Sequence, residues 1–262
     1  MTFVPGRLEK TADISRGDRS WQSFLGNTAS VLIVLVLGYL ALGALGELLA
    51  RSIPDRWEAR VFASREADAA AGDDRVPGFT RAEEIFGRLI EHEGLRALPY
   101  RLLVLPLDQP NAFALPGGEV GVTRGLLEEV DSETGLALVL AHELGHHQER
   151  HTLKRISRTL VFGLARGLLF GRSTASVTDS SLYLAESGYS RRQETAADAF
   201  GLRLVRQVYG DTCESLELFE GVLVEANTEG SDWAAFFRSH PATGSRVEEL
   251  RRLQESLGER CE

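Results

Sequence analysis

Of the six histidines in the chain, four lie in LVLAHELGHHQERH, from Leu138 to His151. His142, Glu143 and His146 fit the pattern His-Glu-x-x-His. On a helix, positions four apart share a face. Two imidazoles so placed can bind one Zn2+, and the Glu beside the first points a carboxylate at the open coordination position. A solvated polar helix end is the competing reading. It sits poorly with LALVLA directly before, which puts His142 and Glu143 in the buried part of the helix. Unpartnered polar groups are costly there, and a metal removes the difficulty.

The third ligand separates the metallopeptidase classes. The extended pattern His-Glu-x-x-His-x-x-Gly-x-x-His needs Gly at 149 and His at 152, where the chain has Glu149 and Thr152, and its Met-turn is missing because the only methionine is Met1. The alternative is a carboxylate from a later helix, in Glu-x-x-x-Asp. ETAAD supplies Glu194 and Asp198, one turn apart and on one face. Glu194 would complete a His-His-Glu set holding one Zn2+ per subunit. Asp198 would accept a hydrogen bond from the remote N–H of a ligand His and fix its tautomer. Three protein ligands leave a fourth position for water, whose pKa falls to about 7 in favourable sites. Glu143 would then take the water's proton and pass it to a leaving amine. His147 and His151 point from other helix faces or its end, and are expected at the surface or outside the ligand shell; His151 reads as incidental.

Several elements must position these residues. TRAEEIFGRLIEH begins with Thr80 and Glu83 in capping-box spacing, predicting a helix start. YRLLVLPL reads as a strand; AFALP and GEVGVT read as short strands around Gly117-Gly118, predicting a small antiparallel sheet. Ser132 can cap the helix that carries the metal motif, with Leu136, Val139, Leu140 and Leu144 as its buried stripe. TLVFGLARGLLFG, over 159–171, reads as a core helix. Ser190 and Gln193 form a further capping box for RRQETAADAFGLRLVRQVY, which ends at Gly210. Further helices are expected around 212–227, 232–239 and 243–257.

The chain has 262 residues, 43% of them hydrophobic, enough for one sizeable domain with appendages. Its net charge of -9 excludes nucleic acid as a natural partner. Cys213 and Cys261 lack any C-x-x-C spacing, which excludes a structural zinc knuckle. From Ser20 to Gly46 there is no charge, and SVLIVLVLGYLALGALG is the apolar centre. About 20 apolar residues cross a bilayer as a helix. An uncleaved anchor is favoured over a signal peptide because the run is long and a polar segment precedes it. The organisation expected is a polar tail over 1–27, an anchor in the bilayer over 28–50, a linker over 51–79 and a zinc metallopeptidase domain over 80–262. Basic residues flank the anchor on both sides, so charge does not orient it.

NAFALPGGEVGVTRGLL, HELGH, SRRQETAAD and SHPATGSR occur in this order, and resemble the motifs of the membrane-linked zinc metallopeptidases typified by HtpX, BepA, the mitochondrial Oma peptidase and the CAAX prenyl proteases. The resemblance covers about Thr80 to Leu253. It implies a zinc endopeptidase of α+β class, mostly helical, with a gluzincin-type domain and a small sheet beside the cleft. It implies that His142, His146 and Glu194 bind zinc and that Glu143 is the base. It places Asn111, His240 and Arg246 near the zinc, to position substrate or stabilise the oxyanion. Read alone, Asn111 is equally a turn residue after Pro110, His240 a helix-end residue and Arg246 a helix-surface residue. HtpX and the prenyl proteases have several spans, whereas this chain shows one clear span, so a chamber for prenylated peptides is not expected. The resemblance favours a single-pass protein of the bacterial inner membrane with its catalytic domain in the periplasm, where a Cys213–Cys261 bridge would be permitted. An exposed strand edge in AFALPGGEVGV would pair with an extended polypeptide, unfolded or membrane-associated, through backbone hydrogen bonds. The competing function is a holdase or assembly factor with a structural zinc and little proteolysis.

Overall fold

The structure is a computed structural model that describes residues 21–62, 76–170, 188–216, 239–240 and 244–258. The chain divides into two compact units, Met1–Leu42 and Gly43–Glu262. The first contains most of α1, Trp21–Ser52. By length and composition this helix can cross a membrane from Asn27 to Ser52, and it is the one such helix among the described residues. Side chains from Asn27 to Ala41 are exposed, so the apolar run is not a core helix. Soluble proteins rarely expose an apolar surface of this extent.

The second unit takes in the end of α1, α2 (Asp55–Phe62), α3 (Phe79–Ile90), β1 (Arg101–Leu105), β2 (Ala112–Leu115), β3 (Glu119–Thr123), α4 (Arg124–Glu129), α5 (Glu133–Gln148), α6 (His151–Phe170), α7 (Arg191–Tyr209) and α8 (Gly244–Ser256). The three strands fall where the sequence places them, in the order β1-β3-β2. The sheet is mixed rather than antiparallel. β2 and β3 form a hairpin through Gly117 and Gly118, both at positive φ, while β1 runs parallel to β3. The reason is connectivity: the chain after β1 crosses to the far side of β3 before β2 begins, so the hairpin's second strand returns beside β1. β3 is buried along its whole length and β2 is an edge.

The core packs α3, the sheet and α7 around α5. Phe79, Ala82, Ile85, Phe86 and Leu89 are the inner stripe of α3. That helix starts at Phe79 behind Gly78 in the left-handed conformation, with no side-chain cap, so the Thr80–Glu83 capping box is not formed. The Ser132 cap and the Ser190–Gln193 capping box are both present, and Gly210 closes α7 at φ 78. α5 is buried on every side from Gly135 to His147, so its polar residues must find partners inside the protein.

Two glycines set how closely α5 and α7 approach. A Cβ on Gly145 would lie 2.9 Å from the Ala197 backbone, and one on Gly201 would lie 2.9 Å from the His142 amide nitrogen. The helices therefore meet backbone to backbone at the level of the metal motif. α6 departs from expectation. Leu153, Ile156 and Val161 are buried, but Leu164 and Leu168 are 61% and 89% exposed, so only its first half is a core helix.

The junction between α5 and α6 is a second fixed point. Arg150 adopts φ 56, a conformation that non-glycine residues rarely take. Its guanidinium donates to the carbonyls of Ala50 and Ile53 at the end of α1, and to Asp55 Oδ1 at 2.7 Å. Arg96 joins α2 to the end of α5: it donates to Asp55 and Glu58 and, at 2.7 Å, to the His147 carbonyl. Burial works against charge on both Arg96 and Asp55. Their mutual hydrogen bonds prevail, holding Asp55 below the usual carboxylate range and Arg96 above the usual guanidinium range. α1 ends before Pro54, as the residue preceding proline is pushed out of the helical region.

Replacing Gly145 or Gly201 by Ala forces the two helices apart. Each variant is expected to lose about 1–3 kcal/mol of stability, measured by denaturant unfolding. Wild-type stability in both would show that the close approach is not required.

Candidate metal centre

α5 carries His142, Glu143 and His146; α7 carries Glu194 and Asp198; His240 lies ahead of α8, which carries Arg246. The glycine-mediated approach of α5 and α7 puts these groups at one point. His142 Nε2 and His146 Nε2 are 3.0 Å apart, and His142 Nε2 is 3.1 Å from His240 Nδ1. Glu194 Oε2 stands 3.6 Å from His142 Nε2 and 3.3 Å from His240 Nδ1, and its Oε1 is 3.5 Å from His146 Nε2. All four side chains are at most 2% exposed.

Three imidazole nitrogens and the Glu194 carboxylate converge closely enough for one cation to meet all four donors. Four donors at 2.0–2.1 Å in a tetrahedron lie about 3.3 Å from one another, which is the spacing found here. Charge points the same way. Glu194 and Asp198 are held ionised in the interior, and with Glu143 beside them three buried carboxylates face one buried guanidinium, Arg246, an arrangement that favours a cation. The donor chemistry of imidazole and carboxylate suits zinc and its neighbours among the transition metals.

The surrounding groups hold the donors. His142 Nδ1 is 2.9 Å from Asp198 Oδ1. Arg246 grips Asp198 with two nitrogens, at 2.8 and 2.7 Å, and reaches Glu194 Oε2 with the third at 2.8 Å. Such a fork fits a carboxylate in a way a lysine cannot. Glu194 is desolvated, yet the His240, His146 and His142 rings hold it strongly in the ionised form. Glu143 is fully buried and its pKa is raised by that burial, against the attraction of His240 and His142. Its Oε1 faces His240 Nε2 at 3.3 Å. Thus His240 presents one nitrogen to the donor set and the other to Glu143. Asn111 immediately precedes β2, its backbone paired with Thr123, and its side-chain oxygen accepts from the Ser239 hydroxyl at 3.4 Å.

Of the two places expected for them, His147 and His151 take the one outside the donor set and not the surface, and His151 is not incidental. His147 is buried and lies 3.0 Å from the Glu119 carbonyl of β3; burial pushes its pKa down to about 4. His151 Nδ1 lies 3.0 Å from His146 Nδ1, the nitrogen turned away from the donor cluster. On an uninterrupted helix, a residue five positions on would point about 140° away. The turn at Arg150 breaks the helix and restarts it at His151, which brings the ring back. Tyr189 was also missed. Its ring stacks on His146 at 3.7 Å, Arg155 covers it at 3.6 Å, and its amide donates to the Ser239 carbonyl. Its position just ahead of the capping box was the only signal.

If these contacts hold the ligands in place, then Asp198→Asn, Arg246→Lys and His151→Ala should each lower metal affinity about 10–100-fold. Competition with a chromogenic chelator measures this. Wild-type affinity in all three would remove the outer contacts from the site's design.

Residues 79–254 match peptidase family M48. The Mitochondrial metalloendopeptidase OMA1 of Schizosaccharomyces pombe is 33% identical over 207 residues, which cover 75% of this chain and 59% of that protein. The Protease HtpX homolog of Acidiphilium cryptum is 28% identical over 255 residues, covering 82% of this chain and 85% of that protein. The Beta-barrel assembly-enhancing protease of Escherichia coli is 24% identical over 177 residues, covering 63% and 36%. The chain spans less than two thirds of the OMA1 relatives, at 59% for the fission yeast protein and 44% for that of Saccharomyces cerevisiae. The M48 match runs through the metal motif, the second carboxylate helix and His240. The chain belongs to peptidase family M48.

Proposed function

We propose that the chain is a membrane-anchored zinc endopeptidase that hydrolyses peptide bonds of unfolded or damaged envelope proteins. The observation that carries this reading is Glu143: a fully buried carboxylate, on the same helix as two clustered imidazoles and facing His240. His142, His146 and Glu194 would hold Zn2+, which when bound polarises a carbonyl and makes water acidic enough to be deprotonated near neutral pH. Glu143 takes the proton of the attacking water and returns it to the leaving amine. Its raised pKa suits that exchange. Asp198 fixes the His142 ring, and Arg246 holds Asp198 and Glu194 together, so Arg246 acts through the carboxylates. The edge of β2 offers backbone groups for an extended peptide, and Asn111 stands at its start. That mode of binding is tolerant of side chains, as an unfolded substrate requires. The exposed apolar face of α1 supports attachment to a bilayer. Cys213 is disulfide-bonded, while the other cysteine, Cys261, lies outside the described residues. An oxidising compartment sustains such a bond, which supports a periplasmic placement.

One observation favours a second reading. With His240 in the donor set, all four positions of a tetrahedral ion are taken by protein, as in structural zinc sites. A holdase or assembly factor would need no more. Under the peptidase reading, His142, His146 and Glu194 would hold the metal without His240, whose ring would keep its proton and steady the developing oxyanion.

The full chain in detergent should cleave casein. Glu143→Gln should retain zinc and lose about 10²–10⁴-fold in rate; unchanged cleavage in that variant would sink the mechanism. Biological activity that survives Glu143→Gln but not His146→Ala would favour the holdase. His240→Ala should lower kcat/KM about 10²–10³-fold if it supports the oxyanion. A rise would recast it as a ligand that only closes the site.

A further inference from the structure

α2 is an amphipathic helix turned inside out. Its carboxylates, Asp55 and Glu58, face the protein, and Glu58 is 2% exposed. Two of its three large apolar side chains face outward: Trp57 is 51% exposed and Val61 61%, while Phe62 is half-buried beside Gly117. Arg56 and Arg60 stand beside them, with the Arg60 guanidinium over the Trp57 ring. In water the stable arrangement is the reverse. α2 cannot roll to restore it, because Arg96 and Arg150 hold Asp55, and Arg96 and the Gly117 amide hold Glu58.

The position of α2 in the chain says what covers this face. It begins three residues after the apolar helix α1 ends. Glu47 and Arg51, an exposed pair one turn apart, are the first charges after the apolar run and mark its headgroup end. The chain then turns at Pro54. Ser52 lies five residues beyond Glu47, about 7.5 Å of helix rise, so α2 begins at the outer edge of a headgroup layer about 5–7 Å thick, where the turn at Pro54 lets it lie along the surface. Tryptophan concentrates in that layer, and arginine extends its charge outward from it.

We propose that Arg56, Trp57, Arg60 and Val61 form an interfacial foot that rests in the headgroup layer of an anionic phospholipid bilayer. The arginines meet lipid phosphates, while Trp57 and Val61 enter the boundary with the acyl chains. The inner face of α2 is bonded through Arg96 to the end of α5 and through Glu58 to the β2–β3 turn. The foot therefore adds a second membrane contact to the catalytic unit, beside the end of α1 that Arg150 already bonds. This inference rests on the reading of α1 as a membrane anchor.

The test uses the full chain with Trp21→Phe and Trp233→Phe, leaving Trp57 as the only indole, in vesicles of phosphatidylethanolamine and phosphatidylglycerol. Vesicle flotation reports the anchor. Fluorescence reports the foot: Trp57 should be shielded from aqueous iodide and quenched more by lipids brominated near the glycerol than by lipids brominated deep in the chain. Arg56→Gln with Arg60→Gln should weaken that quenching, and phosphatidylcholine vesicles should weaken it likewise. A chain that floats while Trp57 stays open to iodide overturns the foot and leaves the anchor standing. Shielding from iodide without quenching by lipid assigns the face to a protein partner or a second copy, and also overturns it. Failure to float overturns anchor and foot together. Proteolysis is not read at any step, so the outcome is independent of the peptidase reading.

Discussion

The structure depends on the approach of α5 and α7 at Gly145 and Gly201. Side chains would normally hold two helices 8–10 Å apart. Removing them at these two positions lets backbone meet backbone, and carboxylates on α7 come within reach of imidazoles on α5. The third donor is thus delivered by packing and not by a loop. A site built on helices holds its geometry more tightly than one built on connecting segments.

That approach has an electrostatic consequence. Three carboxylates, three imidazoles and a guanidinium are gathered where water is excluded. Each group alone would be unstable there. Arg246 balances part of the charge through a bidentate contact with Asp198, and a divalent cation balances the rest. The order of contacts, from Arg246 to Asp198 to His142, turns a helix-surface carboxylate pair into a fixed ligand frame. Glu143 stands outside that frame, where it faces the second nitrogen of His240 at 3.3 Å.

Much of this was legible in the chain. The spacing in HELGH and ETAAD named both metal helices and their polar faces, because a helix of fixed pitch converts spacing into direction. The strand positions and two helix caps were legible for the same local reason. What was hidden depended on breaks in regularity. His151 lies beside His146 because Arg150 adopts a conformation that no composition rule anticipates. The parallel pairing of β1 follows from a crossing path between β1 and β2. Tyr189 stacks on His146, and no spacing in the sequence ties the two together. α3 begins at a glycine cap because backbone geometry, not side-chain spacing, opened that helix. The expected helices around 212–227 and 232–239 lie largely outside the described residues.

Arg150 has two duties that belong to different parts of it. Its backbone sets the bend that returns His151 to the metal helix, and its guanidinium closes the end of α1 and the start of α2. The two duties share one position, so they cannot drift independently. A residue inserted or deleted between His146 and His151 would misplace both, even if every original side chain were kept. The length of that short junction is therefore under tighter constraint than its composition, unlike most connections between helices, which tolerate added residues well.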